Sequence, residues 1–281
     1  MKKITLFIGI FIVLLACTNI KEITLDSTLN EPVDIDETYY DTTAMYDEFE
    51  EVDIDEPKVR SIYNSSRTIY TDLIHTKLEV NFNWAKSQLN GLATITAKPH
   101  FHASDSLVLD AKGMDIKKVE MNGKELNYVY KDSLTLHIKL DRSYTSDEKF
   151  TLQIDYIAKP DERTVNGSAA ITSDKGLFFI NPKGEDKSKM PQIWTQGETE
   201  SNSVWFPTID APNAKTTEEI LMTVDDKYAT LSNGKLISSK KNSDGTRTDH
   251  WKQDLPHAPY LFMMAVGEFK VVKDFYTRND G

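Results

Sequence analysis

The chain has a single cysteine, Cys17, among 281 residues, so no internal disulfide can form and the fold must be held by burial and hydrogen bonding alone. Long apolar runs are scarce too. The run over residues 4–15 covers twelve positions, too few for a helix crossing a bilayer, which takes about 20. Nor is there a basic stripe. The formal net charge is −11, yet residues 26–57 hold thirteen acidic side chains with no Lys or Arg, and the remainder, with 33 basic and 31 acidic residues, stands at +2. The acidity belongs to one segment and not to the body, and neither part carries the Lys/Arg patch of a nucleic-acid binder. Nucleic acid is not an expected partner.

Ready-made catalytic signatures are also missing. The sequence contains no His-Glu-x-x-His pair of zinc ligands, no Gly-x-Ser-x-Gly elbow, no P-loop and no Gly-x-Gly-x-x-Gly turn. Among the six histidines, His100 and His102 alternate by two and would share a strand face. They flank Phe101 just after Pro99 with no third ligand close in sequence, so they read as turn or surface histidines and no metal site is expected. Glu198 and Glu200 could serve as the paired carboxylates of a glycosidase, but spacing along the chain does not set the separation that chemistry needs. Solvated carboxylates are the plainer reading.

What is present starts at the N-terminus. Met1-Lys2-Lys3 precedes the apolar run, which stops at Leu14-Leu15-Ala16-Cys17. This layout is that of a signal peptide over residues 1–16, and its ending resembles the lipobox of bacterial lipoproteins, which implies lipidation of Cys17. An ordinary secretory signal with an incidental cysteine is the alternative. Two or three acyl chains on one residue suffice for stable anchoring. The protein is therefore expected at the cell envelope, lipid-anchored to a membrane surface, on the periplasmic face or the cell exterior. Residues 17–66 are acidic and poor in periodic apolar positions, the composition of a disordered tether kept extended by its own charge. Asp34, Asp36, Asp53 and Asp55 sit in x-Asp-x-Asp pairs that could suggest a calcium-binding arm, but no glycine turn or closing glutamate follows at loop spacing.

From Thr68 onward the period becomes two. Strands are predicted over residues 69–84, 91–100, 106–110, 116–121, 134–140, 150–157, 218–225, 228–239 with a break at Asn233-Gly234, 246–253 and 260–272. No segment has the pattern of a three-turn amphipathic helix. Strands at this spacing without helices between them predict an all-β domain over residues 67–281, a β-sandwich or open curved sheets. One stretch breaks the alternation: "WTQGETESNSVWFPTIDAPNAKTTEEI", residues 194–220.

Within it, Thr195-Gln196-Gly197-Glu198 and then Trp205-Phe206-Pro207-Thr208-Ile209-Asp210-Ala211-Pro212-Asn213-Ala214-Lys215 resemble the aminopeptidase N family of zinc metallopeptidases, whose N-terminal domain carries Thr-Gln-x-Glu followed by Phe-Pro-x-x-Asp-x-Pro-x-x-Lys. Leu255-Pro256-His257-Ala258-Pro259-Tyr260-Leu261, running into Ala265-Val266-Gly267-Glu268-Phe269, is similar to a second family segment. The texture is nearest to bacteroidete-type lipoprotein members. The resemblance implies a saddle-shaped β-sandwich that leans on a separate zinc-binding catalytic domain, with zinc ligands, general base and exopeptidase loop in a part beyond Gly281. The chain would then be truncated before that domain and inert alone. It also implies that Glu198 pairs with the free α-ammonium of a peptide substrate and that Gln196 lines the pocket for its first side chain. A solvated loop carboxylate is the alternative for Glu198.

Other residues of the stretch read as scaffold. Pro207 and Pro212 fix φ where no ladder bond is needed, Trp205 and Phe206 supply buried area, and Asp210 is placed for an Asx-type turn in preference to a buried polar network. Trp194 and Trp251 are expected in the core, and Glu200 has no assignment. A rival from a different class is a non-catalytic lipoprotein β-sandwich that binds protein or glycan. A third is a folded partial gene without function of its own.

Overall fold

The computed structural model describes residues 65–163, 174–272 and 274–277. The signal peptide, Cys17 and all but the last two residues of the expected tether lie outside them. In chain order the strands are β1 (Thr71–Asn83), β2 (Gln88–Pro99), β3 (Ser104–Asp110), β4 (Met114–Met121), β5 (Lys124–Glu125), β6 (Tyr128–Lys131), β7 (Thr135–Tyr144), β8 (Phe150–Ala158), β9 (Leu177–Ile180), β10 (Gln192–Thr195), β11 (Thr216–Asp225), β12 (Ala229–Ser232), β13 (Lys235–Lys241), β14 (Thr246–His257) and β15 (Met264–Gly267). Helical turns among the described residues are 3₁₀ segments of three residues, at Trp84–Lys86, Pro160–Glu162, Asn202–Val204 and Pro259–Leu261. The all-β class expected from the alternation is the observed one.

Three sheets form. The eight-stranded sheet runs β13-β14-β11-β1-β2-β8-β4-β5, a four-stranded sheet runs β12-β15-β10-β9, and a three-stranded sheet runs β3-β7-β6. Alternation explains the main sheet. Along β2, Leu89, Gly91, Ala93, Ile95 and Ala97 are buried, as are Phe150, Leu152, Ile154, Tyr156 and Ala158 on β8, so one face of each strand joins the core while the other keeps Thr, Asn, Gln and Asp outside. Gly91 is required by its neighbour: a Cβ there would stand 2.4 Å from the Tyr156 ring. The pairing of β1 with β11 is parallel, with Leu78 opposite Ile220, and it brings residues 142 positions apart into one hydrogen bond, His75 Nδ1 to Thr217 Oγ1 at 2.7 Å. No local pattern announces such a partner.

Two expectations change in detail. The predicted strand over 260–272 is a strand only at Met264–Gly267, because Pro259 opens a 3₁₀ turn and the chain after Gly267 runs irregular and largely exposed. The break at Asn233-Gly234 separates β12 from β13 as expected. Gly234 has φ +79°, and a Cβ on it would meet Lys252 O at 1.9 Å. Strands β9 and β10 were not foreseen, since four residues are too short a window for a period of two. They are held by burial of Leu177, Phe179 and Ile193.

Candidate functional site

Strand β10 ends at Thr195, whose Oγ1 accepts from Met264 N at 3.1 Å on β15. Gln196 N donates to Gly176 O at 2.9 Å, and the chain then leaves the sheet. Gly197 is buried and has no room for a side chain: a Cβ would stand 2.2 Å from Tyr260 O and 2.6 Å from Asn202 Nδ2. Ser201 N donates back to Gly197 O at 2.9 Å, closing a short loop. At its crest Glu198, Thr199 and Glu200 are exposed, Gln196 beside them is half-buried, and the Glu198 carboxylate has no ion-pair partner among the described residues. Lys112 Nζ donates to Glu200 O at 2.5 Å. The two residues expected to face substrate, Gln196 and Glu198, thus flank one buried glycine on one loop, while Glu200 contributes a backbone carbonyl to the scaffold.

Directly after the crest the environment inverts, and residues 201–211 are all buried. Trp205 and Phe206 pack with ring centroids 4.4 Å apart, and Phe206 stacks on Phe262 at 5.0 Å. A buried loop must find partners for its own backbone, and two aspartates supply them. Asp210 Oδ2 accepts from Ser203 N at 2.8 Å, and Asp210 N donates to Asp110 Oδ2 at 2.9 Å. Thr208 and Asp110 exchange both backbone bonds, at 2.7 and 3.0 Å, and Arg67 Nη1 reaches Asp110 at 2.5 Å. Asp210 is therefore a member of a buried polar network, and the Asx-turn reading is corrected. Burial pushes its carboxyl up from the ordinary value, partly opposed by the bond from Ser203.

Trp194 needs correction as well. It is 38% exposed and stacks on Phe178 at 4.8 Å. Trp194 pairs with Phe178 on one side and Ala265 on the other, and Ala265 pairs with Leu231, so an apolar row crosses the outer face of the small sheet. The strand that feeds the polar loop is the one that carries Trp194. Trp251 is half-buried against the core, its Nε1 donating to Thr230 Oγ1 at 3.0 Å.

Sequence reasoning gave no role to two buried groups. His257 Nε2 lies 3.0 Å from Glu218 Oε2, within ion-pair distance though not aligned as a hydrogen bond. Ser232 Oγ donates to Glu218 Oε1 at 3.3 Å. Burial raises the Glu218 carboxyl against the opposing pull of His257. For His257, burial favours the neutral ring, but Glu218 outweighs it and the net direction is upward. The pair sets the segment 255–262 against β11, with the His257 ring 4.8 Å from Phe262. The other is Asn202, fully buried, whose amide bonds to Pro259 O, Phe262 O and Trp205 Nε1. A lone asparagine has no signature in sequence.

The donors do not suit a zinc ion. Among the described residues no group of three His, Cys, Asp or Glu side chains could hold a metal. His100 Nδ1 is engaged with Asp72 at 2.7 Å and His102 is exposed.

An all-β domain of three sheets presenting one braced polar loop is the class that fold and site define. Residues 54–261 match the Peptidase M1 N-terminal domain family, and the chain belongs to that family. The match begins inside the segment expected as tether. Leucine aminopeptidase 2 of Vanderwaltozyma polyspora is 23% identical over 199 residues, which cover 69% of this chain and 28% of that protein. Transcription initiation factor TFIID subunit 2 of Danio rerio is also 23% identical, over 228 residues covering 70% of this chain and 19% of that protein. Among solved structures, a mutant M1 zinc metallopeptidase of Deinococcus radiodurans bound to a Tyr-Ser-Ala substrate superposes with TM-score 0.60 at 19% identity, covering 70% of this chain and 42% of that one. The chain thus spans less than a third of the length of these two curated relatives.

Proposed function

We propose that the chain is the substrate-facing β-domain of a membrane-anchored zinc aminopeptidase that removes N-terminal residues from peptides. The observation that carries the reading is the loop at 196–200: a free, exposed carboxylate and a half-buried amide side chain, raised on a buried clamp, in a domain of the M1 family. Glu198 accepts charge-assisted hydrogen bonds from the substrate's α-ammonium, roughly twice as strong as neutral ones. An internal peptide nitrogen bears no charge and cannot repay desolvation of the carboxylate, so the enzyme acts on free N-termini. Gln196 lines the pocket for the first side chain. A zinc ion, held by ligands outside the described residues, would supply an activated water as nucleophile. The apolar row through Phe178, Trp194, Ala265 and Leu231 is a surface that a catalytic domain would cover, and Val271, Val272, Phe275 and Tyr276, at 69–90% exposure, add apolar area beyond β15. Lipid on Cys17 holds the protein at the cell envelope.

The test is made on the full reading frame that contains this chain. Glu198→Ala is expected to lower kcat/KM on an aminoacyl substrate by about 10²-fold, and unchanged kcat/KM would sink the assignment. A non-catalytic binding module is the second reading, and one observation keeps it open: a relative named a transcription initiation factor subunit matches at the same 23% identity as leucine aminopeptidase 2. A reading frame with no His-Glu-x-x-His helix would favour the module.

A further inference from the structure

Two stretches far apart in sequence, 195–215 and 255–269, meet at one side chain. The Asn202 amide nitrogen donates to Pro259 O at 2.6 Å and to Phe262 O at 2.9 Å, and its amide oxygen accepts from Trp205 Nε1 at 2.7 Å. Both donors and the acceptor are used, so this fully buried amide carries no desolvation penalty left unpaid by hydrogen bonds. The same amide stands against Gly197, the residue between Gln196 and Glu198. The loop is therefore pressed onto the 259–262 segment at Gly197 and tied to it at Asn202, with only the Ser201 N to Gly197 O bond closing it internally. Its exposed crest makes few bonds of its own. Whatever fixes the direction of Glu198 lies beneath.

We propose that Asn202 is a positioning residue for the α-amine site: its amide holds loop 196–201 at a set distance from the 259–262 segment, and so places the Glu198 carboxylate before substrate arrives. This rests on the role proposed for Glu198. A carboxylate already in place loses less freedom on binding, and misplacement by about 1 Å can cost on the order of 10²-fold. The chemistry calls for asparagine. Aspartate would keep the acceptor for Trp205 but turn a second oxygen toward two carbonyl oxygens, and serine could not bridge both.

The closing experiment compares Asn202→Asp, Trp205→Phe and Leu152→Ala, the last a buried position on β8. Hydrogen exchange is read first, on the protein without substrate. In Asn202→Asp the Ser201 amide should exchange at least about tenfold faster while amides of β2 and β8 keep their protection, and Trp205→Phe should show the same pattern more weakly. Leu152→Ala should accelerate the β2 and β8 amides, with no selective effect at Ser201. Ser201 tracking the core amides in Asn202→Asp would make Asn202 an ordinary core residue and overturn the proposal. Should that variant fail to fold, the same comparison in Trp205→Phe decides. In the full reading frame, Asn202→Asp should raise KM for free-amine substrates by about tenfold or more, with kcat changing less and residual cleavage of N-acetylated substrates unaffected. A loss with Glu198→Ala but not with Asn202→Asp overturns the positioning role alone. No loss with Glu198→Ala overturns the α-amine reading, while exchange still decides whether Asn202 fixes the loop.

Discussion

Residues 198–200 and 201–211 adjoin in the chain and are opposite in environment. The first three are exposed; the next eleven are all buried. The exposed part holds the side chain that the reaction would use and hardly any structure of its own. The buried part holds no reacting group and supplies the placement, through Asn202, the Trp205-Phe206-Phe262 stack and the Asp110-Asp210 network. A functional group can sit on a loop without losing geometric precision when the residues beneath it are packed and hydrogen-bonded like a core.

Breaking the buried side should be costly. Trp205→Ala removes the largest fully buried side chain and orphans the Asn202 oxygen, and the expected loss is about 3–5 kcal/mol, read as a fall in denaturant midpoint at constant slope. A smaller effect is expected where the two regions touch. Gly197→Ala drives a methyl against Tyr260 O, so about 1–3 kcal/mol should be lost and the loop should shift. A crystal structure of that variant with an unmoved loop would refute the tight-contact account.

Asp210→Asn sharpens the comparison through pH. Burial raises the Asp210 carboxyl above 3.8, so the folded chain holds that proton more tightly than the unfolded one. Its contribution is then fully present below pH 3.8 and is lost as pH rises through the raised folded value. Asparagine does not titrate and its oxygen can still accept from Ser203 N. The variant should gain on the parent between acid and neutral pH in paired denaturation curves, and a pH-independent difference would contradict the burial effect. On the exposed side, the smallest effect is expected for Glu198→Ala, within about 0.5 kcal/mol of parental stability, although activity of the full reading frame should collapse. A large stability loss there would mean that the carboxylate serves the fold.

Much of the architecture was legible because long strands with one buried face must alternate. The segments containing β2, β7, β8 and β11 announce themselves in this way, and so does the break at Asn233-Gly234. Strands β9 and β10 did not, since four residues give no period. Trp194 was misplaced because a large aromatic side chain reads as core from composition alone, while its strand turns it to the outer face of the small sheet. For Asp210 the local turn chemistry was plausible, but its carboxylate accepts from Ser203 N, seven positions earlier, while its backbone N–H donates to Asp110, a hundred positions earlier.

Sequence by itself determined the all-β class, the acidic segment and the loop that carries Gln196 and Glu198, because each is written in a local pattern of burial, charge or motif. Tertiary structure alone decided that β1 lies parallel to β11, that Asn202 ties that loop to residues 259–262, and that Glu218 is buried beside His257. These depend on contacts between residues far apart in the chain. Such contacts form only when hydrophobic burial closes the sheets and most polar groups inside must find a partner.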